Sequence, residues 1–459
     1  MPNKLIKREI FFRILMCSFS LVKGSQLNFE TLRIELFAMR FGIIGAGPAG
    51  LCAIKRCLES DCDVIAFEQS NNIGGTWNYT EEVDKDKYGL EIHSSMYRGL
   101  ISNTPKEIMA YPDFPMATIG NSFVNALAIL KYFDSYASTF DLLRYIKFEH
   151  QVLRIRPLND DTWEVVTINL PDNSPETFIF DAVLVCSGLS DPCIPTIPGQ
   201  EIFNGQQFHS HSYRTSEKYE NENVLIVGCG PSGIDLTVEI GKVAKRVFWS
   251  NHLNAATKFS ITLPKVVSEK PDVLRLTETG AEFADGSFEE FSVIFYSTGF
   301  DFKLPFLSIE CGLSSHDKYI QPLYKHCINI NKPTLGLIGI PGFSLAMPMF
   351  DLQVRFCLKF MMKKKKLPSQ DEMIIDTQDE MNERFKLMKR DKAHFMGVER
   401  HAKYYEDLAV TANIEPLKSF IANIFTTNFS NFFECFDTFR DFHYKVLDDE
   451  NFSVTRCKK

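Results

Sequence analysis

No stretch of this chain reaches the 18 or more apolar residues that a membrane-spanning helix requires, so no transmembrane segment is expected. Positive charge is not in excess either. Lys and Arg number 50 against 58 Asp and Glu, and a net charge of -8 gives no electrostatic reason to expect nucleic acid. The one notable basic run, Lys363 to Lys366, follows the apolar stretch 356–362. It reads as a solvated helix end, with peripheral contact to an anionic membrane as the alternative. The 12 cysteines form no CxxC and no regular framework, as in reduced, mostly buried thiols of an intracellular protein. Cys52 and Cys57, five residues apart in one expected helix, fall on different faces, which argues against a redox pair. No metal-ligand cluster and no nucleophile–base pair stands out, so no metal is expected. Tryptophan is scarce, with three, whereas phenylalanine is abundant, with 40, and the simpler explanation is a Phe-rich core.

What is present is organised around residues 40–68. Arg40-Phe-Gly-Ile-Ile44 reads as a strand, and Gly45-Ala46-Gly47-Pro48-Ala49-Gly50 follows at once. Gly45 permits the tight bend, Gly47 lets backbone N–H groups approach a pyrophosphate, and Gly50 lets the next helix lie close on the strand. The helix N-terminus then faces an anion. Glu68 ends the next apolar run, 18 residues after Gly50, where a carboxylate accepts from ribose hydroxyls. Gly74-Gly75-Thr76-Trp77 adds a close backbone approach and a flat apolar face. Further on, Asn103 carries an amide that donates and accepts at once.

Residues 124–140 have helical spacing, and 146–155 and 163–168 alternate like hairpin strands. The strand at 181–188 returns the chain to the first sheet, and the proline-rich 191–199 reads as a linker. The opening arrangement then recurs: strand 223–227, the turn Gly228-Cys-Gly230-Pro-Ser232-Gly233, and a helix from Ile234 to Val243. Two fingerprints in one chain imply electron transfer between two dinucleotides. The second site has no carboxylate where the first has Glu68. Its strand ends in Ser250-Asn251-His252, and that absence tilts the ligand toward NADP, with His252 and Lys258 standing in for the usual arginine. Ser250 is counted with the cofactor-binding residues. Residues 292–300 close the second module, and the strand 334–340 belongs back in the first domain. Met349-Phe-Asp-Leu-Gln353 opens a helix whose N-terminus faces a cofactor ring, which adds Gln353 to the cofactor residues.

Together, Gly45 to Gly50, Glu68, Gly74-Gly-Thr-Trp77, Ser94-Ser-Met-Tyr97 with Asn103, Phe203-x-Gly205-xxx-His209-xxx-Tyr213, and Gly228 to Gly233 resemble the flavin-containing monooxygenases over about residues 39 to 445. The resemblance implies an α/β fold with two Rossmann-like domains, FAD in the first and NADPH in the second, inserted, domain. It also implies hydride transfer to the flavin and addition of molecular oxygen at C4a. The resulting hydroperoxide then oxygenates a soft nitrogen or sulfur nucleophile: a small amine, thioether or thiol. Carried over by position, Asn103 is the catalytic amide and His209 anchors the linker. Tyr213, where related ketone oxygenases have Trp, points away from that branch. An NADPH oxidase or two-dinucleotide reductase is the alternative.

The expected division is an amino-terminal extension or signal-like segment over 1–38, FAD-binding parts over 39–213 and 326–459, the second including a carboxy-terminal region from Ser369 that reads as helical, and an NADPH domain over 214–325. The sequence ends Asp448 to Lys459 without a hydrophobic anchor, which fits an invertebrate-type member. A cytoplasmic location or peripheral association with the endoplasmic reticulum follows. Secretion and homo-oligomerisation stay open.

Overall fold

The computed structural model describes residues 38–188, 191–252, 258, 260–316, 318–386, 388 and 392–456. The expected amino-terminal segment lies outside these, apart from Ala38. Arg40–Ile44 is buried at four of its five positions and sits inside a seven-stranded sheet. Such a strand, apolar on both faces, belongs in a parallel sheet covered on both sides. It pairs in parallel with Asp63–Phe67 and with Ala182–Val185. The sheet continues in parallel to Ile146–Lys147 on one side and Leu335–Leu337 on the other, and ends in the antiparallel strands Ile328–Asn329 and Leu323–Tyr324. Residues 181–188 and 334–340 thus return to the first sheet as their apolar runs imply.

A second, all-parallel sheet is inserted between Ala182–Val185 and Leu323–Tyr324. Its order is Val267–Lys270, Arg246–Ser250, Asn223–Val227, Val293–Tyr296 and Gln206–His209. Two details differ from expectation. The edge strand Gln206–His209 pairs with Val293–Tyr296, so the second sheet begins before residue 214, and residues 323–324 already belong to the first. Within the proline-rich stretch, Asp191–Pro192 makes a two-residue antiparallel pairing with Phe300–Asp301. Proline is tolerated there because the pairing is short and at an edge.

The helices follow local signals. Pro48 starts Pro48–Leu58 at the position where its missing N–H costs nothing. Asn125 caps Ala126–Thr139 by accepting from Ala128 N, and Ser369 with Glu372 forms a capping box at Gln370–Phe385. The region after Ser369 is not wholly helical: Phe442–Val446 and Phe452–Arg456 close it as a hairpin. The phenylalanines do pack as core. Phe343, Phe425 and Phe429 lie within 4.6 Å, centroid to centroid, along Phe343–Phe429 and Phe425–Phe429. Phe432 continues the ladder to the fully buried Phe439 at 5.0 Å.

Candidate active site

The two glycine turns have one geometry, built twice. Gly45 at φ 99° and Gly228 at φ 110° occupy backbone space that side chains avoid. A Cβ on Gly50 would lie 1.9 Å from the carbonyl oxygen of Gly45, and one on Gly233 would lie 2.2 Å from that of Gly228. Each helix therefore touches the bend that begins its own turn. Gly47 and Gly230 occupy the N-cap positions, and neither offers a side-chain cap. The first N–H groups of both helices are thus left for an anion, as a dinucleotide pyrophosphate requires. This is where the residues present fit two dinucleotides.

Around the first turn, a Cβ on Gly75 would lie 3.1 Å from Gly47 Cα, so the second glycine pair backs directly onto the first loop. Ala46 N donates to Glu68 Oε2 at 2.8 Å and Ser70 N to Oε1 at 2.9 Å. The carboxylate staples the loop to the end of Asp63–Phe67, and each oxygen retains a second acceptor site for a ribose. Thr76 O accepts from the Ser94 hydroxyl at 2.7 Å, which ties the Trp77 loop to the Ser94–Tyr97 segment.

Trp77 and Asn103 line a cavity of about 260 Å³, with Asp235, Ser344, Ala346 and Met347 among its other walls. Asn103 Oδ1 accepts a short bond from Arg440, and its backbone oxygen accepts from Asn428 at 2.9 Å. Asp235 projects from Pro231–Ile240, the helix of the second turn. It accepts from Tyr97 Oη at 2.6 Å and lies 3.6 Å from Arg440. Burial pushes its carboxyl up, while Arg440 and Tyr97 act in the opposite direction.

Of the residues read as cofactor-binding, Trp77 and Asn103 line this cavity; the side chains of Gln353 and Ser250 are engaged elsewhere in the protein. Gln353 is fully buried, with Oε1 accepting from Gly339 N at 2.9 Å and Nε2 donating to Tyr404 at 2.7 Å. Its helix starts at Ala346, about two turns earlier, so the first-turn residues Ala346 and Met347 reach the cavity instead. The Ser250 hydroxyl is 2% exposed as a residue and donates to Pro271 O at 2.9 Å. Gly230 and Ser232 by contrast lie exposed at the mouth of the second turn, and His252 is exposed beside Asp272. Both ring nitrogens of His209 are engaged by the backbone: Nε2 donates to Gly299 O at 2.9 Å while Nδ1 accepts from His211 N at 3.1 Å. Asp235 and Arg440 were not singled out in the sequence. Asp235 lies three residues after Ser232, and only the fold turns its side chain toward Tyr97. Among the described residues no group of three or more His, Cys, Asp or Glu is placed to hold a metal.

Comparison with known proteins agrees with this layout. The family described as flavin-binding monooxygenase-like matches residues 38–260 and 253–450. The chain is similar to senecionine N-oxygenase of Tyria jacobaeae, at 30% identity over 90% of this chain and 91% of that protein. It is 31% identical to flavin-containing monooxygenase 5 of Rattus norvegicus, over 75% of this chain and 78% of that one. The solved S-allyl-L-cysteine S-oxygenase from Allium sativum superposes with a TM-score of 0.79 at 26% identity, covering 88% of this chain and 95% of that chain. Two nucleotide turns, a cavity between the Trp77 loop and the helix of the second turn, and these likenesses lead to one assignment: the chain belongs to the flavin-binding monooxygenase-like family and is a monooxygenase whose cofactors are FAD and NADPH.

Proposed function

We propose that this enzyme uses NADPH and molecular oxygen to oxygenate a soft nitrogen or sulfur nucleophile of a small molecule: an amine, thioether or thiol. The observation that carries the reading is the Asn103 amide on the wall of the cavity, with Nδ2 free of any protein partner among the described residues. Asp235, the one carboxylate among the lining residues, is already engaged by Tyr97 and Arg440. The wall therefore offers a hydrogen-bond donor rather than a base, which suits a substrate that is itself the nucleophile. The relatives include an N-oxygenase and an S-oxygenase, which supports both nucleophile classes.

Bound FAD, reduced by NADPH, supplies the electrons and the site at which dioxygen is activated. The chain supplies the surroundings. Gly45 to Gly50 and Gly228 to Gly233 present bare N–H groups to the two pyrophosphates. Glu68 is placed for the FAD ribose, and Gly75, Thr76 and Trp77 form the wall behind it. Trp77, Met109, Leu345 and Met347 give the cavity apolar faces that exclude water. Asn103 Nδ2 donates to the oxygen that is to be transferred.

The domains we assign are 39–213 with 326–459 for FAD and 214–325 for NADPH, except that by sheet membership Gln206–His209 goes with the NADPH domain and Leu323–Tyr324 with the FAD domain. The cytoplasm, or the membrane surface through Lys363 to Lys366, is the location this reading supports. No helix among the described residues is long and apolar enough to cross a membrane. Cosedimentation with phosphatidylserine vesicles separates the two locations.

The test is oxygenated product formed per NADPH consumed, with trimethylamine and a methyl aryl sulfide as substrates. Near-stoichiometric product is expected from the unmodified enzyme, and stoichiometric hydrogen peroxide with no product would overturn oxygenation. Asn103→Ala should keep its FAD and lose on the order of 3 kcal/mol of transition-state stabilisation, about a hundredfold in oxygenation rate. An unchanged rate would remove Asn103 from the mechanism.

A further inference from the structure

An amide can face a reacting oxygen with its NH2 or with its carbonyl, and only the first stabilises developing negative charge. What decides between the two faces of Asn103 lies 337 positions away in the chain. A guanidinium has five donors and no acceptor. The group that Arg440 meets on Asn103 must therefore be Oδ1, and Nδ2 is left free on a residue of the cavity wall.

Arg440 is itself held by several groups. Its Nε donates to Ser102 O at 3.3 Å, and its Nη2 lies 3.6 Å from Asp235 Oδ1, which in turn is fixed by Tyr97. The guanidinium carbon stands 4.7 Å from the centroid of the Phe439 ring. Phe439 is fully buried and packs edge-on against Phe123 at 5.3 Å and against Phe432 at 5.0 Å. Asn428, also fully buried, holds the Asn103 backbone from the same carboxy-terminal region.

We propose that Arg440 is a positioning residue for oxygen transfer: it fixes the Asn103 amide with its NH2 toward the cavity and denies it the flipped orientation. Arg440 is not among the residues lining the cavity and acts through Asn103. The inference rests on the reading of Asn103 given above. A flipped amide would place a carbonyl oxygen against the oxygen being transferred, and two acceptors facing each other repel.

The experiment is a double-mutant cycle on the FAD-loaded enzyme with Asn103→Ala, Arg440→Ala and the pair. Three quantities are read: product per NADPH consumed, flavin per chain, and the visible absorption band of bound oxidised FAD without turnover. Arg440→Ala should retain flavin and lose on the order of 10- to 100-fold in oxygenation rate with KM for the nucleophile unchanged, the range of one charge-assisted hydrogen bond. The double variant should match Asn103→Ala in rate and in band position, because the arginine has nothing left to orient. Should Arg440→Ala not fold, Arg440→Gln replaces it, since glutamine accepts as well as donates and no longer selects one amide face. Multiplying losses in the double variant, or unmodified coupling in Arg440→Ala or Arg440→Gln beside an impaired Asn103→Ala, would overturn the positioning role alone. An unimpaired Asn103→Ala would overturn the reading of Asn103 and this inference with it.

Discussion

Arg214 is 2% exposed, and all five of its bonds run to backbone carbonyls: Thr80, Glu82 and Ser94 on one side, His211 and Tyr213 on the other. It makes no ion pair among the described residues, and burial lowers its affinity for a proton. A buried charge is tolerable only when its donors are met, and here carbonyl dipoles meet them. Lysine has three donors and no planar fork, so Arg214→Lys leaves carbonyls unmatched. The expected loss is about 2–4 kcal/mol of stability, read as a lower urea midpoint, with flavin released earlier than in the unmodified protein. This role was not legible in the chain. The acceptors at positions 80, 82 and 94 are brought to it only by the fold. Gln353 is the reverse case. Its place in a helix whose N-terminus reads as facing a cofactor ring suggested a ligand, and its side-chain partners are the backbone of Gly339 and the Tyr404 hydroxyl. Sequence signals that a buried amide needs partners but not which partners it finds.

At the scale of elements, the strand–turn–helix units were the most legible part. Apolar runs bounded by glycine encode a strand, a bend and a close helix in consecutive residues, so no long-range information is required. The duplicated geometry gives a separable prediction. A methyl on Gly50 or Gly233 collides with a carbonyl of its own turn and must push helix from strand. Gly50→Ala should yield protein with little flavin per chain. Gly233→Ala should retain flavin but weaken NADP+ binding at least tenfold by equilibrium titration, a cost of about 1.4 kcal/mol or more. Loss of both ligands in both variants would show that the two turns are not independent. Elements made by distant pairing were less legible. Gln206–His209 gave no sign that it would join the second sheet, and the hairpin at Phe442–Val446 and Phe452–Arg456 lay in a region that reads as helical.

For the whole molecule, acid is the informative stress. His209 needs its neutral form, since Nδ1 accepts while Nε2 donates, and burial lowers its pKa to about 4. His93, His211 and His394 are also pushed down by burial. For a histidine lowered in the folded state, the unfolded chain takes up protons first. The stabilisation is therefore complete above about pH 7 and is lost as pH falls from about 6.5 toward 4. His209 alone accounts for at most about 3 kcal/mol across that range. The melting temperature should drop steadily on acidification. His209→Gln, which keeps a donor and an acceptor but no titration, should show a shallower slope. Equal slopes would assign the acid sensitivity to other groups.

The first sheet is completed from both sides of the inserted domain. Ala182–Val185 is buried at all four positions and takes its outer partner only from Leu335–Leu337. During synthesis the ribosome must add roughly 150 further residues before that partner exists, a wait on the order of 8–30 s at ordinary elongation rates. Throughout it, an apolar strand presents an unpaired backbone edge, the kind of surface on which nascent chains aggregate. The inserted domain, whose five-stranded parallel sheet lies wholly within residues 206–296, has every strand of that sheet available to fold in the interval. The nascent chain is therefore expected to mature from its middle outward, with the NADPH-binding half assembled before the FAD-binding half can close.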